Sequence, residues 1–202
     1  MHCGRGNLRA QYTNMERVMA TTERERDLGI ILTPNMKWHE QVSYAASTAN
    51  RVLGLLRNAF VSRDIEIWRR LYSTYVRPHL EFAVQAWCPH SKGDIQAIER
   101  VQRRATKIPH CLKDMRYEDR CEQMGIVKLT ERRMRGDLIQ MFKLSRGLEA
   151  VSWASERKTS IARAGRRSQL RREIVKNNQR HNFFTNRVAN PWNALPNDLV
   201  ES

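Results

Sequence analysis

A mainly α-helical chain with a short β-hairpin lead-in is the fold class the sequence predicts, and three observations predict it. Apolar residues recur at spacings of three and four through most of the chain after residue 37. The stretch before it carries a short apolar run, Asp27-Leu28-Gly29-Ile30-Ile31-Leu32, followed by the turn signal Pro34-Asn35. Glycine and proline then punctuate the helical stretches at their expected ends. With 202 residues, 41% of them hydrophobic and five of them Trp, the chain is long enough for one or two domains with a real core and is not expected to be disordered.

The elements follow in order. Residues 1–36 form a strand-containing lead-in, with Asp27 to Leu32 read as part of a hairpin arm and Gly29 as a strand glycine. Residues 37–147 form a helical bundle. Its first helix spans Trp38 to Phe60 and buries Val42, Ala45, Ala49, Val52, Leu53 and Leu56. The second starts at Ser62, a good N-cap, and runs toward Trp87, kinked or split at Pro78 because proline cannot donate to the helical ladder. The third follows Gly93, is capped by Asp94, buries Ile95, Ile98, Val101, Ala105 and Ile108, and stops at Pro109. A short helix from Tyr117 to Met124 ends at Gly125, a left-handed terminator. Thr130 caps a further helix carrying Leu138, Met141, Phe142 and Leu144, closed by Gly147. Residues 148–181 have weak periodicity and read as a basic linker or marginal helix. Residues 182–202 return to apolar side chains, with Phe183, Phe184, Val188, Trp192 and Leu195, and are expected to dock back on the bundle.

Charge narrows the function. There are 36 Lys and Arg against 21 Asp and Glu, a formal net charge of +15 and a pI near 10.4. The excess is concentrated: Arg100 to Arg180 holds 22 basic and 9 acidic residues, and Arg157 to Arg180 holds 9 basic residues and the single acid Glu173. Such an imbalance points to nucleic acid or another anionic partner rather than to small neutral metabolites. A membrane partner is not expected, since no uncharged stretch, Phe82 to Ser91 included, exceeds half of the roughly twenty apolar residues a span needs. Cys3, Cys88, Cys111 and Cys121 form no Cys-x-x-Cys pair, and Met1-His2-Cys3-Gly4-Arg5-Gly6 holds no apolar block. Both features predict a reduced, intracellular protein, nuclear or cytoplasmic.

Eight short blocks occur in a fixed order. They are His2-Cys3-Gly4-Arg5-Gly6-Asn7, Glu25-Arg26-Asp27-Leu28-Gly29-Ile30, Ala49-Asn50-Arg51-Val52-Leu53-Gly54 and Tyr75-Val76-Arg77-Pro78-His79-Leu80-Glu81. Val101-Gln102-Arg103-Arg104-Ala105-Thr106-Lys107, Arg132-Arg133-Met134-Arg135-Gly136-Asp137-Leu138, Phe183-Phe184-Thr185-Asn186-Arg187-Val188 and Trp192-Asn193-Ala194-Leu195-Pro196 complete the series. This order resembles the region just downstream of the catalytic palm in reverse transcriptases of non-LTR (LINE-type, jockey-like) retrotransposons, and the likeness spans nearly the whole chain. It implies that Asp27, Leu28 and Gly29 fall in a primer-grip hairpin at the end of the palm. The helices from Trp38 onward would be thumb-like. Met1 would correspond to an internal methionine of a longer polyprotein. The partners implied are RNA, DNA or an RNA–DNA hybrid, together with the missing palm or an intact reverse transcriptase.

The chemistry of polymerisation needs two close carboxylates holding two metal ions. In the family these lie upstream, and this chain has no Asp-Asp pair. Its one adjacent acidic pair, Glu118-Asp119, is expected to point apart on a helix and to be a solvated first turn. No cofactor is therefore expected in this fragment, with Mg²⁺ needed only by an intact polymerase, and the chain alone is expected not to polymerise. Cys88-Pro89-His90 and His110-Cys111 lack the regular ligand spacing of a structural zinc site. No nucleophilic triad or phosphate loop stands out, so no free-standing active site can be assembled.

The candidate binding residues are basic. Arg100, Arg103, Arg104 and Lys107 share one helix face opposite an apolar stripe, where they would either lie along a phosphate backbone or form a solvated surface. Arg132, Arg133 and Arg135 read the same way, the alternative being pairs with Glu131 and Asp137. Arg163, Arg166, Arg167, Arg171 and Arg172 would form an electrostatic arm, a nuclear-import signal or a plain linker. Trp38, Trp68, Trp87 and Trp192 sit among periodic apolar residues and are expected in the core rather than stacked on bases. The leading expectation is a nucleic-acid-binding, thumb-like fragment that positions a primer–template duplex. The rivals are a protein-interaction module, favoured if Ile30 to Leu32 is exposed, and a translated relic of the element.

Overall fold

Two tight hairpins form before any helix. Thr13–Asn14 (β1) pairs antiparallel with Arg17–Val18 (β2), and Glu25–Asp27 (β3) pairs antiparallel with Ile30–Leu32 (β4). Each turn has two residues, and both take positive φ: Met15 at 43° and Glu16 at 69°, Leu28 at 45° and Gly29 at 85°. That is the geometry whose twist matches the flanking strands. Gly29 is therefore half of a turn and not a glycine within a strand, which corrects the reading of Asp27 to Leu32 as one run. The structure, a computed structural model, describes residues 1–4, 6–151 and 169–201. They are mainly helical, and by their internal contacts the chain divides into two units: Met1–Leu80 with Pro89–Arg120, and Glu81–Cys88 with Cys121–Ser202.

In the first unit, helix α1 (His39–Ala59) buries Val42, Ala45, Ala49 and Leu53, the three–four stripe of the sequence. The second hairpin is fixed to it. Ile30 and Ile31 are buried, and the Ile31 amide donates to Gln41 Oε1 at 2.9 Å in a buried bond. Helix α2 (Ile65–Leu71) starts two residues later than Ser62 suggested. Its cap is Asp64, whose carboxylate accepts from the Ile67 amide at 3.0 Å, because Asp64 has the extended backbone a cap needs. Asp64→Ala is expected to cost about 0.5–2 kcal/mol in urea unfolding, where Ser62→Ala costs less.

The helix continues without a break through a π-helical turn (Tyr72–Val76) into α3 (Arg77–Glu81). In that turn the Arg77 amide donates to Tyr72 O, one residue further back than in an α-helix. The wider turn sits just before Pro78, which has no N–H and crowds the turn that precedes it. The helix stops at Glu81, short of Trp87, and Ala83 follows with φ 50°. Helix α4 (Lys92–Ala105) is capped by Ser91, whose hydroxyl accepts from the Asp94 amide at 3.1 Å. Asp94 is not the cap; its carboxylate reaches His39 Nδ1 at 2.7 Å instead.

A buried polar chain runs beside α4. Tyr72 Oη donates to Gln102 Oε1 at 2.7 Å, Gln102 Nε2 donates to Tyr117 Oη at 2.8 Å, and Tyr117 Oη donates to the Glu99 carboxylate. Every member is partnered, which is the condition for a buried polar chain to be tolerated. A 3₁₀ turn (His110–Leu112) leads on to α5 (Tyr117–Gln123), and Gly125 follows with φ 58°, as its terminator role requires.

The second unit is built around α6 (Leu129–Ser145), which Lys128 precedes as N-cap residue, so that Thr130 lies inside the helix. Gly147 has φ 68° after its end. Against α6 lies the segment Glu81–Cys88. A Cβ at Gly136 would come 3.3 Å from Val84 Cγ2, so glycine permits the close approach. Arg187 spans both: it makes a bidentate pair with Asp137 at 2.8 Å on each oxygen and donates to Val84 O at 2.8 Å. Met141 and Leu144 join Phe184, Val188, Trp192 and Val200 in one buried cluster, so the C-terminal segment does dock. That segment is a series of short helices, α7 (Asn178–His181), α8 (Phe184–Arg187), α9 (Ala189–Asn193) and α10 (Asn197–Glu201). Of the stretch read as a linker or marginal helix, residues 169–177 are non-helical and tied down by Asn193 and Asn186, each bonding its backbone on both the donor and acceptor side. No helix among the described residues is long and apolar enough to cross a membrane.

Candidate phosphate-binding cleft

Helices α1 and α4 lie side by side and run parallel. Near their starts His39 meets Asp94, and eleven residues on in α1 the Arg104 guanidinium donates to Asn50 Oδ1 at 2.9 Å. Their C-terminal ends therefore come out at the same end of the first unit. There the two helices and the loops that follow them enclose a cleft of about 560 Å³. Arg57 enters it from the last turn of α1 and Arg104 from the last turn of α4. Arg63, Lys107, His110 and Lys113 come from the loops, and Leu53, Gly54 and Ile108 supply the apolar wall.

The positions of these cations follow from local chemistry. A helix C-terminus carries about half a negative charge from its unpaired carbonyls, and basic side chains settle there. Arg63 shows the effect most directly. Its guanidinium donates to the carbonyls of Arg57, Phe60, Val61 and Ser62, closing the end of α1. Arg104 is held by Asn50. Arg57, Lys107, His110 and Lys113 are exposed, and the three permanent cations among them are open to water or a ligand. Two helix ends offset about one unit of charge. Five permanent cations remain against that, and none of the lining residues is acidic. The cleft can neutralise an anion with several phosphates. It holds no Phe, Tyr or Trp on which a base could stack, and the His110 imidazole is the one aromatic ring in its lining.

Of the face read from the sequence, Arg104 and Lys107 line this cleft. Arg100 and Arg103 are exposed on the same helix but outside it. Arg100 Nε donates to Gln96 O at 3.3 Å, and the Arg103 guanidinium lies 4.2 Å over the Tyr117 ring. Asp27, Leu28 and Gly29 form the end of β3 and the hairpin turn, with Leu28 87% exposed.

The basic cluster of α6 is distributed differently from the reading. Arg132 pairs with Glu81, not with Glu131. Arg133 is buried, stacks 4.1 Å over Trp87 and donates to Trp87 O at 2.8 Å, and burial pushes its guanidinium pKa down. Asp137 pairs with Arg187. Of the three, only Arg135 is exposed. Arg171 and Arg172 are exposed, with Arg172 against the His181 ring. Arg163, Arg166 and Arg167 lie outside the described residues.

Trp68, Trp87 and Trp192 are buried, with the indole N–H of Trp68 on Ser62 O and that of Trp87 on Phe82 O, both at 2.7 Å. Glu118 and Asp119 do not converge on a common site; Asp119 pairs with Arg116 and holds its guanidinium pKa above the ordinary value. Among the described residues no three His, Cys, Asp or Glu side chains gather as metal ligands would. The sequence reading missed Arg57, Arg63, His110 and Lys113. The available signal was position: each follows or closes the end of a helix, where basic side chains collect. Comparison of the chain with protein-family models, with curated proteins and with solved structures gives no match.

Proposed function

We propose that this chain grips a nucleic-acid duplex through its phosphates, as a thumb-like fragment of a non-LTR reverse transcriptase would. The observation that carries the reading is the cleft at the joined C-terminal ends of α1 and α4, with five permanent cations and no acid in its lining. The ordered sequence blocks supply the family, and the helical fold with a hairpin before it is the architecture they imply. Contacts of this kind position a duplex and carry little sequence information. The sequence carries no Asp-Asp pair of the kind that holds a polymerase's magnesium ions. On this reading the chemistry belongs to a palm that is another part of the enzyme. The interaction-module reading loses its main support, because Ile30 and Ile31 are buried against the chain's own helix.

The test is fluorescence anisotropy of a labelled RNA–DNA hybrid, with single-stranded and duplex DNA of equal length, across a salt series. Tighter binding of the hybrid is expected, with log K falling against log salt at a slope of about −4 to −5, one contact for each fixed cation. Equal, weak binding of all three with a shallow slope would sink the proposal.

A further inference from the structure

The cleft differs from a basic helix face in being concave. At about 560 Å³ it lies within the range of small-ligand pockets, roughly 300–1,000 Å³. A strand that only passes over a surface meets its cations in a line. Here Arg57, Arg63, Arg104, Lys107 and Lys113 converge on one space from both helix ends and from the loops after them. Phosphates in an anhydride chain stand closer together than phosphates along a strand, so converging cations match them better. The wall holds no Phe, Tyr or Trp ring for a base, His110 being its one aromatic side chain, and no carboxylate for a sugar hydroxyl. Two of the guanidiniums are fixed beforehand, Arg63 on four carbonyls and Arg104 on Asn50, which lowers the ordering cost of binding.

We infer that the cleft is a site for a linear polyphosphate, a run of three or more linked phosphates read without its base. The inference rests on the phosphate-binding reading of the same cleft and narrows it. Two sources share this chemistry: the 5′-triphosphate end of an RNA strand and a free inorganic polyphosphate.

The experiment titrates the full chain with inorganic tripolyphosphate and with inorganic monophosphate by calorimetry, at a constant ionic strength near 0.15 M. Tripolyphosphate is expected to bind at least about tenfold tighter, as added phosphate contacts release more counterions. Lys107→Ala combined with Lys113→Ala should reduce that affinity by about tenfold or more. Both lysines are exposed, so circular dichroism should show an intact fold, and Arg116→Gln, outside the cleft, should bind as the parent does. An RNA with a 5′-triphosphate is compared with the same RNA bearing a 5′-hydroxyl. Tighter binding of the triphosphate form supports the strand end as ligand; equal binding, with tripolyphosphate still tight, supports the free anion. Equal affinity for tripolyphosphate and monophosphate, or no effect of the lysine variant, overturns the inference. The RNA–DNA hybrid is measured on the same samples. If hybrid binding survives while the tripolyphosphate preference is absent, this inference alone falls; if hybrid binding is also absent, the reading beneath it falls too.

Discussion

Asp137→Ala is expected to destabilise the second unit by about 3–5 kcal/mol, the range for removing one partner of a buried ion pair. The Asp137 side chain is 8% exposed and that of Arg187 15%, so water cannot replace the lost carboxylate. The pair is bidentate, and the same guanidinium holds Val84 O. Losing Asp137 would therefore leave a largely buried cation and loosen the turns of Glu81–Cys88 together. Changing both residues at once, Asp137→Leu with Arg187→Met, should cost much less than the single change, because no charge is then left unpaired. The measurement is hydrogen exchange at the α6 amides in increasing urea, since the chain has two units and one global midpoint would mix them. A cost under about 1 kcal/mol for Asp137→Ala would place the pair among ordinary surface bridges.

Removing three exposed cations of the cleft, Arg57→Ala, Lys107→Ala and Lys113→Ala together, should weaken hybrid binding by about 10²–10³ near 0.1 M salt. Each lost phosphate contact removes close to 0.9 from the log–log salt slope, so the slope should become shallower by about 2–3. Arg63 and Arg104 are left in place because they also hold the end of α1 and Asn50, and their loss would confound binding with folding. Anisotropy across a salt series reads both numbers. Unchanged slope and affinity would mean that the phosphates lie elsewhere.

Much of the helical core was legible because its signal is periodic. Val42, Ala45, Ala49 and Leu53 in α1, and Ile98, Val101 and Ala105 in α4, are buried as their spacing demands. The caps were less legible. Ser62 and Thr130 have the right side chains but the wrong place: Asp64 holds the extended backbone, and Thr130 is already helical. Gly29 is ambiguous by type, since a bulge and a two-residue turn both favour glycine. The choice was made by Leu28, a residue that rarely takes positive φ. Half of the cleft was readable as the α4 face. The rest comes from Arg57 and Arg63, some forty to fifty positions earlier and brought alongside by parallel packing that no local pattern encodes, and from His110 and Lys113 just after α4. The α6 arginines look alike in the sequence. Which one is buried over Trp87 and which faces water depends on the segment Glu81–Cys88 lying against that helix.

That segment has a consequence for how the chain is made. Val84 leaves the ribosome 103 residues before Arg187, the side chain that grips its carbonyl. At synthesis rates of about 5–20 residues per second, the interval is roughly 5–20 s. Over that time Arg120 has emerged and the first unit has all of its residues, while Glu81–Cys88 is held out of it as a loop whose partners are still being translated. Trp87 is fully buried in the finished protein and is carried on that loop. A nascent chain paused between residues 121 and 133 would thus hold that indole before the guanidinium that stacks on it has been made.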